Sequence, residues 1–171
     1  MIPEIGHFAL MLALPVALLQ AGLPLAGAAR RDPACMAVAR PIAAAQFALL
    51  LLAFGCLVYA FVTSDFSVKN VAAHSNTLLP VEYKFAAAWG SHEGSLLLWA
   101  LMLAGWTFAV AILSRQLPED MVARVIAVMG LVSVGFLVFM LFASNPFERL
   151  LPGAPEGRDL NPLLQDPGMV L

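Results

Sequence analysis

Charge is scarce in this chain. Asp, Glu, Lys and Arg make up 12% of its 171 residues, where a soluble domain carries about 25%. Nine Lys and Arg against eleven Asp and Glu leave a net charge of −2. No basic patch could neutralise a row of phosphates, which excludes nucleic acid as a partner. Cysteine is nearly missing as well: Cys35 and Cys56 are the two, and they form no CxxC. Cys56 falls about 15 residues into an apolar stretch, roughly 20 Å deeper than Cys35 if that stretch is helical. Neither a disulfide nor a zinc site is therefore expected. The sequence also lacks a Gly-rich phosphate loop, a GxSxG elbow and a Cys–His pair. It has no Gly/Ser linker, internal repeat or low-complexity tract.

What the chain has in excess is apolar sequence, 61% of residues, with a mean hydropathy of +0.87. A membrane-spanning helix needs about 20 such residues. Four stretches qualify, at about 5–29, 41–64, 94–114 and 125–143. Backbone groups in lipid must be satisfied within the segment, so these are read as helices. None shows the alternation of a membrane barrel. The predicted class is an all-α polytopic membrane protein with four transmembrane helices and two ordered outer loops. Pro15 and Pro24 are expected to kink the first helix. Its Ala-rich end at 26–29 resembles a cleavage site. Yet the leader holds Glu4 and no Lys or Arg, and the run is too long for a signal peptide. It reads as an uncleaved first helix.

Arginines orient the bundle. The first connector holds Arg30, Arg31 and Arg40, and the third holds Arg115 and Arg124. The opposite side carries Lys69, Lys84, Arg149 and Arg158 diluted by acids. The compact cluster after the first helix places that side in the cytoplasm. Both termini and the 65–93 loop then lie outside it.

The two outer segments are unusual. The 65–93 loop begins as an extended run through Phe66, Val68 and Val71, with Asn70, Ser75 and Asn76 as turn formers. Pro80 is placed to open a short helix over 81–89. Its Tyr83, Lys84, Phe85 and Trp89 suit the headgroup layer. Gly90 ends that helix, Ser91 caps the third span, and Glu93 suits its positive end. The segment 144–171 has turn signals at Asn145-Pro146, Asn161-Pro162 and Asp166-Pro167-Gly168. Between them recur Phe147, Leu150, Leu151, Leu160, Leu163 and Leu164. This apolar surface needs a cover that the other outer loop has little means to provide. The ending Met169-Val170-Leu171 reads as a sequence that stops inside a larger fold.

The candidate site lies where the polar loop meets the third span, because ionisable groups at the mouth of a membrane helix are costly and commonly functional. On a helix, His92, Leu96, Trp99, Leu103 and Trp106 share one stripe. Trp89 extends it if the helix runs through Gly90. Trp106 lies about 18 Å into the span at 1.5 Å per residue, too deep for an interfacial belt, so it should pack on a neighbour or a ligand. Flat aromatics with a histidine at the rim suit a large planar hydrophobic group such as haem, whose iron histidine most often ligates. Plainer readings stand beside this one. Trp89 serves as an interface anchor, Trp99 and Trp106 as helix packing, and His92 as a hydrogen-bonding partner of the loop. His7 and His74 read as ordinary interfacial and loop histidines, and the three together match no zinc spacing.

Long motifs add a resemblance. MIPEIGHFAL, NVAAHSNTLLPVEYKFAAAWGSHEGSLLLW, GWTFAVAI, the run from VARVIAVMG to LVSVGFLVF, and SNPFERL followed by EGRDLNPLLQDPG closely resemble the N-terminal part of the CcmF/NrfE haem lyase family. WGSHEGSLLLW and GRDLNPLLQDPG are the most specific of them. The resemblance implies a role in cytochrome c-type biogenesis at the bacterial inner membrane. In that family haem arrives on a haem chaperone in the periplasm, and the lyase holds its iron between two outer-loop histidines beside a tryptophan-rich motif. The two thiols of an apocytochrome c CxxCH segment then add across the haem vinyl groups. A second haem in the membrane is thought to keep the reacting iron reduced. The implied partners are the remainder of the haem lyase, the haem chaperone, apocytochrome c with its thiol-reducing and delivery subunits, and the lipid bilayer.

The chain departs from this pattern in what it contains. The tryptophan-rich motif and the intramembrane histidine ligands have no counterpart here, and the first outer ligand is expected just beyond the run that finishes at Leu171. Haem is thus implied for the complete protein and is not expected to be ligated by this chain alone. No catalytic residue and no metal ligand is assigned. The candidate haem-cavity or motif residues are Trp89, His92, Glu93, Trp99 and Trp106, with His92 and Glu93 read as a structural or gating pair. The leading function is therefore the N-terminal part or subunit of a haem lyase. The alternative is a non-catalytic scaffold docking the haem chaperone or the delivery subunits through the 65–93 loop. A transporter or channel would need ionisable residues within the spans, and none falls in a span core.

Overall fold

The computed structural model describes residues 1–161. These residues form seven helices, α1 Ile2–Arg30, α2 Pro33–Ala37, α3 Ala39–Val62, α4 Lys69–His74, α5 Val81–Gly90, α6 His92–Leu113 and α7 Glu119–Phe142. Among the described residues the only strand-like pairing is a single bridge between Val68 and Arg149. Four candidate spans result: α1, α2 continued into α3, α6 and α7. The four apolar stretches read from the sequence match these helices to within three residues at each end, save that α7 starts at Glu119. It thereby takes Arg124 into its first turns.

Caps and breakers set the boundaries. Arg31 closes α1 in the left-handed conformation (φ 57°), and Asp32 N–H returns to the Gly27 carbonyl at 2.9 Å. Asp32 then caps α2 by accepting from Ala34 and Cys35 N–H at 2.9 and 3.4 Å. A bond from the Cys35 thiol, and then these two from the backbone, hold its carboxyl below the usual range. Pro80 stands just before α5 as its N-cap, one position earlier than the first-turn site expected of it. Cys35 is half-buried, Cys56 is buried, and both are free.

The spans form a ring in the order α7, α1, α3, α6, with α1 making the most extensive contacts and the α6–α7 seam the thinnest. Small residues line the closed seams: Ala9, Ala13 and Ala17 on α1, Ala39, Ala43 and Ala53 on α3, Ala100 and Ala104 on α6, Ala123 and Ala127 on α7. In lipid, apolar burial between helices gains little, so close backbone approach and dispersion provide the association. At Gly130 a Cβ would come within 3.0 Å of the Ala21 nitrogen and Gln20 Cγ. Polar side chains buried in the spans include two amides, Gln20 and Gln46, and the hydroxyls of Thr107 and Ser133. Gln20 Nε2 donates to the Ile126 carbonyl of α7 at 3.2 Å.

The outer loops depart from the sequence reading in two ways. The extended run stops at Val68; α4 takes over at Lys69 and incorporates Asn70 and Val71, which are both buried. Second, the 144–161 segment is covered by the other outer loop after all. Lys69 N–H donates to Glu148 O at 2.8 Å, Leu150 N–H to Ser67 O at 2.9 Å, Ala154 N–H to Phe66 O at 3.3 Å and Arg158 N–H to Ala72 O at 2.7 Å. Phe147 and Leu160 are buried with Phe66 and Val68. Composition could not reveal this because the cover is mainly backbone: a ladder across about 80 residues of sequence satisfies both loops at once. Leu163, Leu164 and the turn signals at Asn161-Pro162 and Asp166-Pro167-Gly168 lie partly or wholly outside the described residues, as does the Met169–Leu171 end.

Candidate functional site

The SHEGS segment is a turn built from its own side chains. Ser91 caps α6 by accepting from Gly94 N–H at 3.0 Å, satisfying one of the donors a helix start leaves open. Ser95 Oγ donates back to the Trp89 carbonyl. Gly94 lets α6 pass beneath the end of α5, where a Cβ would stand 1.8 Å from the Ala88 oxygen. Glu93 is half-buried in the first turn.

His92, the first residue of α6, is exposed, and its Nδ1 lies 3.1 Å from Ser144 Oγ. Its ring stands edge-on to Phe139, with centroids 6.2 Å apart and 74° between planes. The loop partner is thus a side chain 52 residues away rather than nearby backbone. Nε2 has no partner among the described residues, and His92 and Glu93 form no ion pair there. Beside Phe139 a groove of about 460 Å³ opens along the α6–α7 seam, lined by Leu96, Leu131, Val132, Gly135 and Phe136. The floor is open at Gly135, where a Cβ would meet nothing within 4 Å.

The helical stripe exists, and it faces outward. Trp99 is 61% exposed and Trp106 is 71% exposed. Among the described residues nothing covers Trp106, so of the two expected partners, a neighbouring helix or a ligand, no helix of this chain provides the first. Trp89 leaves the stripe, because α5 ends at Gly90 and the chain turns at Ser91. It is half-buried, with Phe85 edge-on at 5.0 Å. Ser144, Phe136, Phe139 and Gly135 were missed by sequence reading. Phe136 and Phe139 do share a face three residues apart, but only tertiary packing brings Ser144 to His92.

The other histidines are occupied. His7 Nε2 is 3.1 Å from Asn145 Nδ2 and its ring stacks on Phe147. His74 Nδ1 lies 3.0 Å from the Asn70 carbonyl, one turn back in α4. Among the described residues no three His, Cys, Asp or Glu side chains gather to hold a metal ion.

Four apolar helices under an ordered polar cap, with an aromatic face open to one side, define an all-α polytopic membrane protein whose bundle presents one unfinished wall. Comparison with known proteins gives that class a family. The family described as Cytochrome C assembly protein matches residues 89–171. The cytochrome c-type biogenesis protein CcmF of Pseudomonas aeruginosa is 63% identical over 172 residues, covering 100% of this chain and 26% of the relative. CcmF of Escherichia coli is 60% identical over 99% of the chain and 26% of the relative. NrfE of Haemophilus influenzae is 42% identical over 99% and 27%. The solved structure of a cytochrome c haem lyase CcmF superposes with a TM-score of 0.79 at 28% identity, covering 86% of this chain and 25% of that one. The chain therefore belongs with the CcmF/NrfE family, where it corresponds to the N-terminal part. It spans about a quarter of the length of the relatives it matches.

Proposed function

We propose that this chain forms the N-terminal part of a haem lyase and that its α6–α7 face is one wall of the haem-handling cavity. One observation carries the reading: in a chain whose whole length matches about a quarter of such relatives, the SHEGS motif sets His92, with Nε2 unengaged, beside Phe139 of an apolar aromatic groove. Haem is here the substrate. A porphyrin is broad, flat and apolar, and Leu96, Phe136 and Phe139 offer it a matching surface. Each histidine has one ring nitrogen engaged, His7 by Asn145, His74 by the Asn70 carbonyl and His92 by Ser144; His92 is the one that stands against Phe139 of the groove, which gives one imidazole where six-coordinate haem needs two. The iron-holding pair is therefore assigned to sequence outside this chain.

The chemistry of attachment asks little of these residues. Each apocytochrome thiol adds across a vinyl group, sulfur to one carbon and hydrogen to the other, with no net oxidation. The protein's contribution is to hold thiol and vinyl in register, which makes the encounter nearly unimolecular. His92, fixed by Ser144 and Phe139, is placed to limit how far the macrocycle shifts along the groove. In the complete assembly, His92→Ala should lower the yield of mature cytochrome c; an undiminished yield removes His92 from the mechanism.

The apolar exposure of the outer cap favours a second reading. Leu78 and Leu151 are 92% and 94% exposed, beyond the helices that meet lipid. The cap would then dock the haem chaperone or the apocytochrome-delivery and thiol-reducing subunits. Changing Leu78 and Leu151 to Ser should weaken co-purification of those partners while leaving thermal stability unchanged.

The proposed location is the bacterial inner membrane, with both termini periplasmic. Arg30, Arg31, Arg40, Arg115 and Arg124 lie at the bundle end opposite the cap, as the charge rule for cytoplasmic loops requires.

A further inference from the structure

A second groove lies on the same seam at the other end of the bundle. It holds about 410 Å³ and is bounded by Trp106, Val110 and Leu113 on α6 and by Leu117, Met121 and Val125 after the turn. From Leu113 up to Trp106 it runs roughly 10 Å along the helix, which is a good part of one leaflet. Its walls are almost wholly apolar. Its mouth is the connector at 114–118, where Ser114 and Leu117 line it and Arg115, between them in sequence, is exposed and without a carboxylate or carbonyl partner among the described residues.

The neighbouring arginines differ from Arg115. Arg40 donates to the Ala111 and Ser114 carbonyls at 2.6 and 3.4 Å, closing the end of α6. Arg124 reaches the Ala28 carbonyl at 3.4 Å. Both serve the bundle, and Arg115 does not. Of the nearby acids, Glu119 lines a small cleft with Met36 and Arg40 on the α2 side; Glu119, Asp120 and Arg115 all lie outside the lining of the groove itself. An apolar slot running through much of one leaflet, with an unpaired guanidinium in the connector at its end, is complementary to one kind of molecule: acyl chain below, phosphate above.

We propose that the α6–α7 groove at the arginine end is a binding site for an anionic phospholipid, its chain lying along Trp106 and its phosphate held by Arg115. This site is separate from the His92 groove and does not depend on the haem reading. A neutral lipid can enter the slot, but an anionic headgroup gains Arg115, whose planar forked donor suits a phosphate oxygen pair.

The test uses the 171-residue chain with Trp89→Phe and Trp99→Phe, so that Trp106 alone emits, in nanodiscs of phosphatidylcholine. Bromine-labelled phosphatidylglycerol or bromine-labelled phosphatidylcholine is added at equal mole fraction, and quenching of Trp106 is read. The brominated anionic lipid should compete for the groove about fivefold better, the size expected of one arginine at an anionic surface. Arg115→Gln should abolish that preference, while Arg30→Gln/Arg31→Gln, at the end of α1, should leave it intact. Equal quenching by both lipids, or a preference that survives Arg115→Gln, overturns the proposal. So does a Trp106 that neither lipid quenches, since protein would then cover the groove. Far-UV circular dichroism of each variant separates loss of preference from loss of fold.

Discussion

At the scale of single residues, the SHEGS turn shows how one glycine and one serine set the position of a functional side chain. Gly94→Ala would drive a Cβ against the Ala88 carbonyl, a backbone atom that cannot swing aside. The expected cost is at least 1–3 kcal/mol, roughly the range for overpacking. It should appear as a lower thermal midpoint in detergent and as a loosened His92–Ser144 contact. Ser91→Ala removes a single N-cap acceptor and should cost about 1 kcal/mol. If the two variants prove equally mild, α6 is not threaded beneath α5 as described. This part of the site was legible in the sequence, because serine ahead of an apolar run and a charged first turn are local signals. The partner of His92 was not, since Ser144 follows α7 and meets His92 only after the bundle closes.

At the scale of elements, two kinds of anchor hold the cap and the bundle ends. Arg149 joins three parts of the chain, bonding to Ser67 Oγ and Glu4 and lying 3.6 Å from Asp65. Replacing it with Met should loosen the 144–161 segment by roughly 1–2 kcal/mol, the span between exposed pairs and charged hydrogen bonds. Protease sensitivity of that segment would register the change. Glu156 is a second anchor. It accepts from Thr77 N–H at 3.0 Å and Thr77 Oγ1 at 2.9 Å, and these bonds, with that from Gly157 N–H, hold its carboxyl below the ordinary 4.5. A carboxyl lowered in the folded state contributes its stability above the ordinary value and loses it as pH falls through the lowered one. A nitroxide at position 155 should therefore be immobile at neutral pH and gain mobility only in acid, below about 4.5. Glu156→Gln should be more mobile at neutral pH and insensitive to acid. The helices themselves were readable from runs of apolar residues. The interlock of the loops was not, because backbone pairing between segments some 80 residues apart leaves no periodic trace. Asn70 and Ser75 looked like turn formers, and both are buried in or beside α4.

At the scale of the whole molecule, the ring of four spans is closed on its α1 side and thin at α6–α7. Alanine and glycine tighten the seams that stay closed, while tryptophan and phenylalanine stand on the face that does not. Helical spacing placed His92, Leu96, Trp99, Leu103 and Trp106 on one side of α6, and it could go no further, since periodicity says which residues share a side and nothing about what lies opposite. The topology makes its own prediction. Cys35, in the first connector, should react with a membrane-impermeant maleimide added from the cytoplasmic side of inverted vesicles and stay unlabelled in intact cells whose outer membrane has been opened; the reverse pattern inverts the proposed orientation. The central claim is that the His92 end of the α6–α7 face meets haem while the iron-holding pair lies outside this chain. A haem titration of the purified chain tests it most directly, read by the emission of Trp99 in a Trp89→Phe/Trp106→Phe background and by the reduced absorbance spectrum. The account predicts Trp99 quenching that His92→Ala diminishes, with no bis-histidine spectrum at any haem level. A strong bis-histidine spectrum from this chain alone, or Trp99 emission indifferent to haem, would contradict it.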